Sequence, residues 1–506
     1  MRLSRRSLIE LGAAGAAGSL LSLPTTTLGQ SPKFKKKPKN VIFCVSDGMP
    51  MSAITMADYY QRLMGKPHSY WSWLMRQDYV VNGLQMTRSL NSVVTDSAAA
   101  SAAWGSGCHI WNGQLNAYPD KTELRTLCSL VQEKKVRTGL VTTATITHAT
   151  PAGFSISCHS RDLEGLIAER YLALEPDILM GGGNKFFAAD KRPDKKDLYA
   201  EFQKKGYKVA KTRKETLGLK APKILGIYSD SHVPYTIDRD NSRELTEAVP
   251  TLAEMATVAI DNLKGSRNGF LLQIEGAKVD HGGHANDIAA MLFDQIAFEE
   301  AVKVAVDFAQ KDGETLVVIT ADHATGGPSL NGAGLEYIDS TAGLMTLAGM
   351  KSTYSPMLAK LSKTPSAGDI QDVIKSDLGI GLKESEAQVV ADCMAGKQMF
   401  KGAMFYGNTT STLAIMLGNY SKITWTSLNH TCDHVMVTAL GPGSEMWHGL
   451  TENISYFDKI LSVWGIKHKN PQMSFEDAKK AMDKSPNPEE EAELTALYGS
   501  GEDMHF

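Results

Sequence analysis

Acidic residues and histidines recur in this chain where a parallel β-sheet would gather them. Asp47 follows the apolar run NVIFCVS, Glu275 closes GFLLQIE and leads into Asp280, and Asp322-His323 follow ETLVVIT. Ligands of open parallel sheets sit beyond the carboxyl ends of the strands, so these residues can converge on one site. Each aspartate alone reads as a helix or turn cap; together they read as a metal centre. In EGAKVDHGGHAND, Asp280 and His284 stand four apart with His281 between them, so a carboxylate and an imidazole reach one ion if the segment turns after the strand. Asp322-His323 offers a second such pair, and His430 in NHTCDHV supplies a further imidazole. For His430 taken alone, a buried hydrogen-bonded histidine is the plainer reading. Oxygen and nitrogen donors without thiolate suit a catalytic zinc rather than a structural one.

A nucleophile stands in VTDSAAASAAWGSG. Ser97 precedes an alanine-rich segment of high helix propensity, where free backbone N–H groups favour a phosphate or an alkoxide. Asp96 or Ser97 also reads as a simple cap. No G-x-S-x-G elbow and no evident histidine base accompanies the serine, so a metal is the natural activator.

The elements that must position these groups are legible as short apolar runs. NVIFCVS, RTGLVTT, GFLLQIE and ETLVVIT read as buried parallel strands alternating with helices. Ile288, Leu292, Ile296, Phe298 and Val302 fall near helical spacing behind Asp287 as a cap. The expected class is α/β, a mostly parallel central β-sheet flanked by helices on both faces. Residues 40–465 form the expected catalytic domain, with an inserted subdomain at about 342–424 that carries no chemical motif.

The ends read differently. The start MRLSRRSLIELGAAGAAGSLLSLPTTTLGQ (residues 1–30) has the Arg5-Arg6 pair and weak apolar core of a twin-arginine signal peptide. Residues 31–39 make a basic linker and 466–506 an acidic tail. With 53 Lys plus Arg against 56 Asp plus Glu, a net charge of -3 gives no general reason to seek nucleic acid or an anionic membrane. No later stretch reaches the ~20 apolar residues of a membrane span. Six scattered cysteines neither require disulfides nor exclude them.

Taken in order, V-S-D-G-M, T-D-S-A-A-A-S-A-A-W, T-H-A-T-P with Ser160-Arg161 beyond it, L-M-G-G-G, L-A-E-M, I-E-G-A-K-V-D-H-G-G-H, T-A-D-H and N-H-T resemble the alkaline phosphatase family over about 40–334 and again 424–457. The resemblance implies that Asp280, His284 and His430 hold one zinc and Asp47, Asp322 and His323 a second. Asp47 then bridges to a magnesium-type site completed by Thr150 and Glu275, an oxygen set that suits a hard cation. It implies that Arg161 grips the phosphoryl oxygens through its planar fork. His148 and His281 stand where the best-known bacterial members have aspartate and lysine. Imidazoles there should weaken magnesium and let zinc or cobalt compete at the third site.

These assignments lead to an exported phosphomonoesterase working by two displacements through a phosphoserine at Ser97, periplasmic or secreted after passage through the Tat machinery. Small phosphate monoesters are the expected substrates, and the resemblance implies a homodimer. The competing readings are a phosphodiesterase of the same superfamily, which must fit a second substituent where Arg161 would bind an oxygen, and a periplasmic phosphate- or metal-binding protein without turnover. A sulfatase would want C/S-x-P-x-R, whereas Ser97 is followed by three alanines.

Overall fold

Every residue of β1, Asn40–Ser46, is buried. Its alternate side chains divide between two cores: Ile42 and Cys44 pack on one face with Leu272, Ile274, Val317 and Ile319, and Val41, Phe43 and Val45 on the other with Ala98, Trp104, Leu271 and Val318. A strand covered on both faces has no use for polar alternation, which is why the run is continuously apolar. The computed structural model describes residues 32–397, 399–400, 407–484, 494 and 496–498. The predicted leader and most of the tail after residue 484 lie outside the described residues.

Nine further strands join β1: β2 Val80–Met86, β3 Arg137–Thr145, β4 Ile178–Gly182, β5 Lys208–Ala210, β6 Ile224–Ile227, β7 Phe270–Gly276, β8 Thr315–Thr320, β9 Val435–Leu440 and β10 Gly449–Glu452. Their order is β10-β2-β9-β8-β1-β7-β3-β4-β6-β5. All pairings are parallel except those of β9, which runs antiparallel to both β8 and β2. The fold is the expected α/β arrangement with helices on both faces. In register, Val45 of β1 lies beside Glu275 of β7 and Thr320 of β8, so the three central strands end together.

Five helices matter to the site. These are α1 Ser97–Ser106, α2 Ala149–Ser155, α3 Lys278–His284, α4 Ile288–Asp312 and α5 Tyr354–Leu358. The first two explain the alanines. A Cβ at Gly105 would meet the Gly153 carbonyl oxygen at 2.0 Å, and one at Gly153 would meet Ser101 Oγ at 2.0 Å. Small residues let α1 and α2 touch backbone to backbone, and Ser101 Oγ donates to the Ala149 carbonyl at 2.9 Å. In α4, Asp287 caps as its position suggests, accepting from the amides of Ala289 and Ala290 at 3.0 and 3.1 Å.

The region of the expected insertion is helical, running from Asp339–Met345 through α5, Ala367–Leu378 and Glu384–Met394 to Thr409–Ser421. Leu344, Leu347, Ile370, Ile374 and Leu413 share one core with Leu292 and Phe298 of α4. At the other end, Asn470 accepts from Arg125 N–H at 2.9 Å and donates to the Ser106 carbonyl at 2.8 Å, fastening the segment after residue 465 onto the C-terminus of α1. Among the described residues no helix is long and apolar enough to cross a membrane, and no cysteine is paired.

Candidate active site

The three central strands deliver their acids to one place. β1 runs into Asp47, β7 carries Glu275 and leads into α3 with Asp280 and His284, and β8 runs into Asp322 and His323. The chain leaves Asp47 through Gly48 at φ +66°, where a Cβ would lie 2.4 Å from Asp280 Oδ1 and 2.6 Å from Asp280 Cα. Only glycine fits between the β1 turn and α3. Gly48 N–H donates to Asp322 Oδ1 at 2.9 Å, so the same turn orients a second carboxylate. His430 arrives in a two-residue ladder, paired antiparallel with Thr325.

All eight residues expected to bind metal are brought together. His284 Nε2 lies 3.3 Å from Asp280 Oδ2, and His430 Nε2 lies 3.7 Å from Asp280 Oδ1. His323 Nε2 is 3.0 Å from Asp322 Oδ2 and 3.7 Å from Asp47 Oδ1. Thr150 Oγ1 is 3.3 Å from Asp47 Oδ2. Three sets hold potential ligand atoms within 4.8 Å of one another: Asp47 with Asp322 and His323, Asp47 with His148 and Glu275, and Asp280 with His323 and His430. His323 thus stands between two centres, and His148 sits among the atoms of the third site rather than outside them.

The donor set fits cations. Nδ1 of His284 is 2.6 Å from the Leu428 carbonyl and Nδ1 of His430 is 2.7 Å from the Thr95 carbonyl, so each ring places its proton on Nδ1 and its lone pair on Nε2. Those two Nε2 atoms face each other at 3.0 Å. Two lone pairs at that distance repel unless a cation lies between or beside them. Asp47 Oδ1, Asp322 Oδ2 and both oxygens of Glu275 are likewise buried without a well-formed hydrogen bond, a costly state that a metal relieves.

Protonation follows the same logic. Burial, then Asp322 and Asp280, lift Asp47 well above the carboxylate range, and burial also raises Glu275. Burial opposes ionisation of Asp280 too, but the imidazoles of His284, His430 and His323 win and hold it well below. Burial, then His323, push His430 down to about 3, which keeps the ring a neutral ligand.

Beside this cluster stands Ser97, 2% exposed at the first turn of α1. Its Oγ is 3.1 Å from His323 Nε2, a contact that the sequence reading, which found no histidine near the serine, missed. The two are separated by 226 positions. Arg161, 6% exposed, sets Nη1 3.1 Å from Asp96 Oδ2 and Nη2 3.3 Å from His148 Nε2. Asp96 is also the cap of α1, accepting from Ala99 N–H at 2.9 Å.

A sequence model of the family described as alkaline phosphatase matches residues 38–465. The chain belongs to the alkaline phosphatase family. Alkaline phosphatase 3 of Bacillus subtilis is 32% identical over 440 residues, covering 84% of this chain and 88% of that protein. The Thermus thermophilus alkaline phosphatase structure superposes with a TM-score of 0.84 at 34% identity, covering 91% of this chain and 98% of that one. A TAB5 alkaline phosphatase variant with Mg bound in the M3 site gives 0.62 at 25% identity, covering 86% and 99%. The protein is a metal-dependent phosphoric monoester hydrolase.

The cleft of this alkaline phosphatase, about 770 Å³, extends beyond the predicted residues. His232, Tyr235, Lys278 and His281 line one wall, and Thr353, Tyr354, Ser355, Leu358 and Ala359 of the α5 segment line its rim. The rim is tied down by acids: Asp238 accepts from Thr353 N–H at 2.8 Å and from Thr353 Oγ1 at 2.6 Å, and Asp287 Oδ2 accepts from Tyr354 N–H at 2.6 Å. His232 and the rim residues carry no motif, and only proximity in the fold reveals them.

Proposed function

We propose that this alkaline phosphatase hydrolyses small phosphate monoesters in two displacements through a phosphoserine at Ser97. The observation that carries the reading is Ser97 Oγ at the start of α1, 3.1 Å from His323 and in the same cleft as Arg161. Asp280, His284 and His430 would hold one zinc and Asp47, Asp322 and His323 another; Asp47, Thr150 and Glu275 would hold a magnesium-type ion, with His148 and His281 biasing that third site toward zinc or cobalt. When bound, the two zinc ions supply Lewis-acid stabilisation of the nucleophilic and leaving oxygens, and the third ion supplies fixed positive charge.

The chain's own groups then do the following. Ser97 Oγ attacks phosphorus in line while Arg161, steadied by Asp96, holds phosphoryl oxygens through its fork. The N–H groups opening α1 add their positive end to the same charge. The P–O bond to the alcohol breaks, and the departing oxygen gains, by way of solvent, the proton that the Ser97 hydroxyl gives up; water later attacks the phosphoserine from the opposite side, returning a proton to Ser97 Oγ and releasing inorganic phosphate. Recognition centred on the phosphoryl group tolerates many alcohols. Arg161 occupies the place where a diester would need room for its second substituent.

We read residues 40–465 as the catalytic domain with the 342–424 insertion forming part of its rim. Residues 1–30 are read as a Tat signal sending the enzyme to the periplasm or medium, where we propose it works as a homodimer. Purified protein assayed on a chromogenic monoester and its diester, before and after chelation and return of zinc and magnesium, tests the function. Monoester turnover that is lost and restored with metal supports it. A diester preference favours the phosphodiesterase, and no turnover of either favours a binding protein.

A further inference from the structure

Glu164, 3% exposed, opens the helix Glu164–Leu174 just after Arg161. An acid in the first turn of a helix is favoured by the dipole and ordinarily faces solvent. This one turns inward. Its Oε2 accepts from the Thr145 hydroxyl and, at 2.6 Å, from the Thr147 hydroxyl. Two turns further along the same helix, the buried Tyr171 hydroxyl donates to the Ile146 carbonyl at 3.0 Å. One helix face thus grips residues 145–147, the turn that ends β3 and leads into His148 and α2.

The turn and the helix carry the two sides of one contact. His148 N–H donates to the Thr145 carbonyl at 3.0 Å, so the backbone of the imidazole is bonded to a gripped residue. Arg161 N–H donates to the Gly113 carbonyl at 2.8 Å, which anchors the opposite side. Between them, His148 Nε2 lies 3.3 Å from Arg161 Nη2. Without a carboxylate at position 164, two buried hydroxyls lose this acceptor and the turn is held through its backbone. We propose that Glu164 is a positioning residue for phosphoryl recognition: by holding the turn of His148 against the helix that follows Arg161, it keeps imidazole and guanidinium together and sets how tightly the cleft grips a phosphoryl group. The inference rests on the phosphomonoesterase reading above and adds a residue that does not itself line the cleft. A clamp contact made alike in ground and transition state acts on KM rather than on kcat.

The test is a double-mutant cycle on the metal-loaded enzyme, read as KM for a chromogenic monoester and as calorimetric Kd for inorganic phosphate. Glu164→Ala is expected to raise both roughly fivefold, with kcat changed less than about twofold. In a His148→Ala background the same substitution should raise them less than about twofold, because no imidazole is left to misplace. Glu164→Gln keeps an oxygen for both hydroxyls and should hold KM and Kd near the native values. Thr147→Val removes one donor, leaves Glu164 in place and should reproduce part of the rise. Unchanged Kd in Glu164→Ala, or an equal factor in the two backgrounds, overturns the proposal and leaves Glu164 a helix-start acid. A rise in Glu164→Gln as large as in Glu164→Ala overturns it too, since the acceptor and not the charge is what positioning requires. Should Glu164→Ala fail to fold, an unchanged Kd in Thr147→Val overturns it instead. Native enzyme that binds phosphate but turns over no monoester counts against the phosphatase reading, while the calorimetric cycle still decides the role of Glu164.

Discussion

Asp96 Oδ2 lies 3.1 Å from Arg161 Nη1 while the same carboxylate accepts from Ala99 N–H at 2.9 Å and Gly113 N–H at 2.8 Å. One side chain therefore fixes the start of α1 and aims the guanidinium beside it. Asp96→Asn keeps a good cap but removes the charge facing Arg161, so KM for a monoester should rise several-fold with little change in melting temperature. Asp96→Ala should show the same kinetic loss and cost about 1 kcal/mol of stability besides. Kinetics paired with thermal melts separate the two roles. Identical melting losses in both variants would refute the division.

Ser97→Ala leaves the cluster of acids and histidines intact. Monoester turnover should fall on the order of 10⁴-fold or more, while inorganic phosphate still binds by calorimetry. Residual turnover near the native rate would mean that water attacks the ester directly.

Gly48→Ala tests the closeness of β1 and α3. The new methyl must enter space held by the Asp280 side chain and backbone, at a positive φ that alanine resists. A destabilisation of about 2–4 kcal/mol is expected, together with reduced zinc content. Native zinc content in a well-folded variant would show that the two segments can part without loss.

Chelation should lower the melting temperature well beyond the loss of activity alone. The facing Nε2 atoms of His284 and His430 and the buried acids around Asp47 then lack their counter-charge. Added zinc should restore the original melt. A metal-free chain that melts at the native temperature would contradict the fit of these residues to cations.

Glu299, in the middle of α4, predicts a pH effect away from the site. Burial lifts it from 4.5 to about 7, although Trp71 N–H and Gln295 Nε2 donate to it. Between those values the folded chain keeps a proton that the unfolded chain has released. The stabilisation is full below the ordinary glutamate range and is lost as pH rises to about 7, by at most roughly 1.4 kcal/mol per pH unit. Glu299→Gln should flatten that part of the stability curve. Denaturant melts of both proteins at pH 5 and pH 7 provide the measurement, and an unchanged difference would exclude Glu299 as the source.

The central strands could be read from sequence because burial on both faces leaves them continuously apolar, as in β1 and β8. The half-exposed β2, VVNGLQM, offers no such run, and neither sequence nor turn chemistry reveals that β9 enters antiparallel. Site residues showed themselves where acids follow strands directly. Partnerships did not: Asp96 and Arg161 are 65 positions apart, and Asp96 already had a sufficient role as a cap. His232 stands alone in its segment, and its neighbours His148 and His281 come from other elements. Such pairings are products of topology, which local patterns do not encode.

His430 touches the Thr95 carbonyl across 335 positions, and its short ladder with Thr325 is what brings it there. A growing chain that has already laid down β1, β7 and β8 still lacks this imidazole until its last quarter leaves the ribosome. A product cut short before residue 430 lacks the imidazole that meets Asp280. Metal retention at that centre therefore reports that synthesis has passed the ladder, and a chain stopped before it would be distinguishable from a longer one by the metal it fails to hold there.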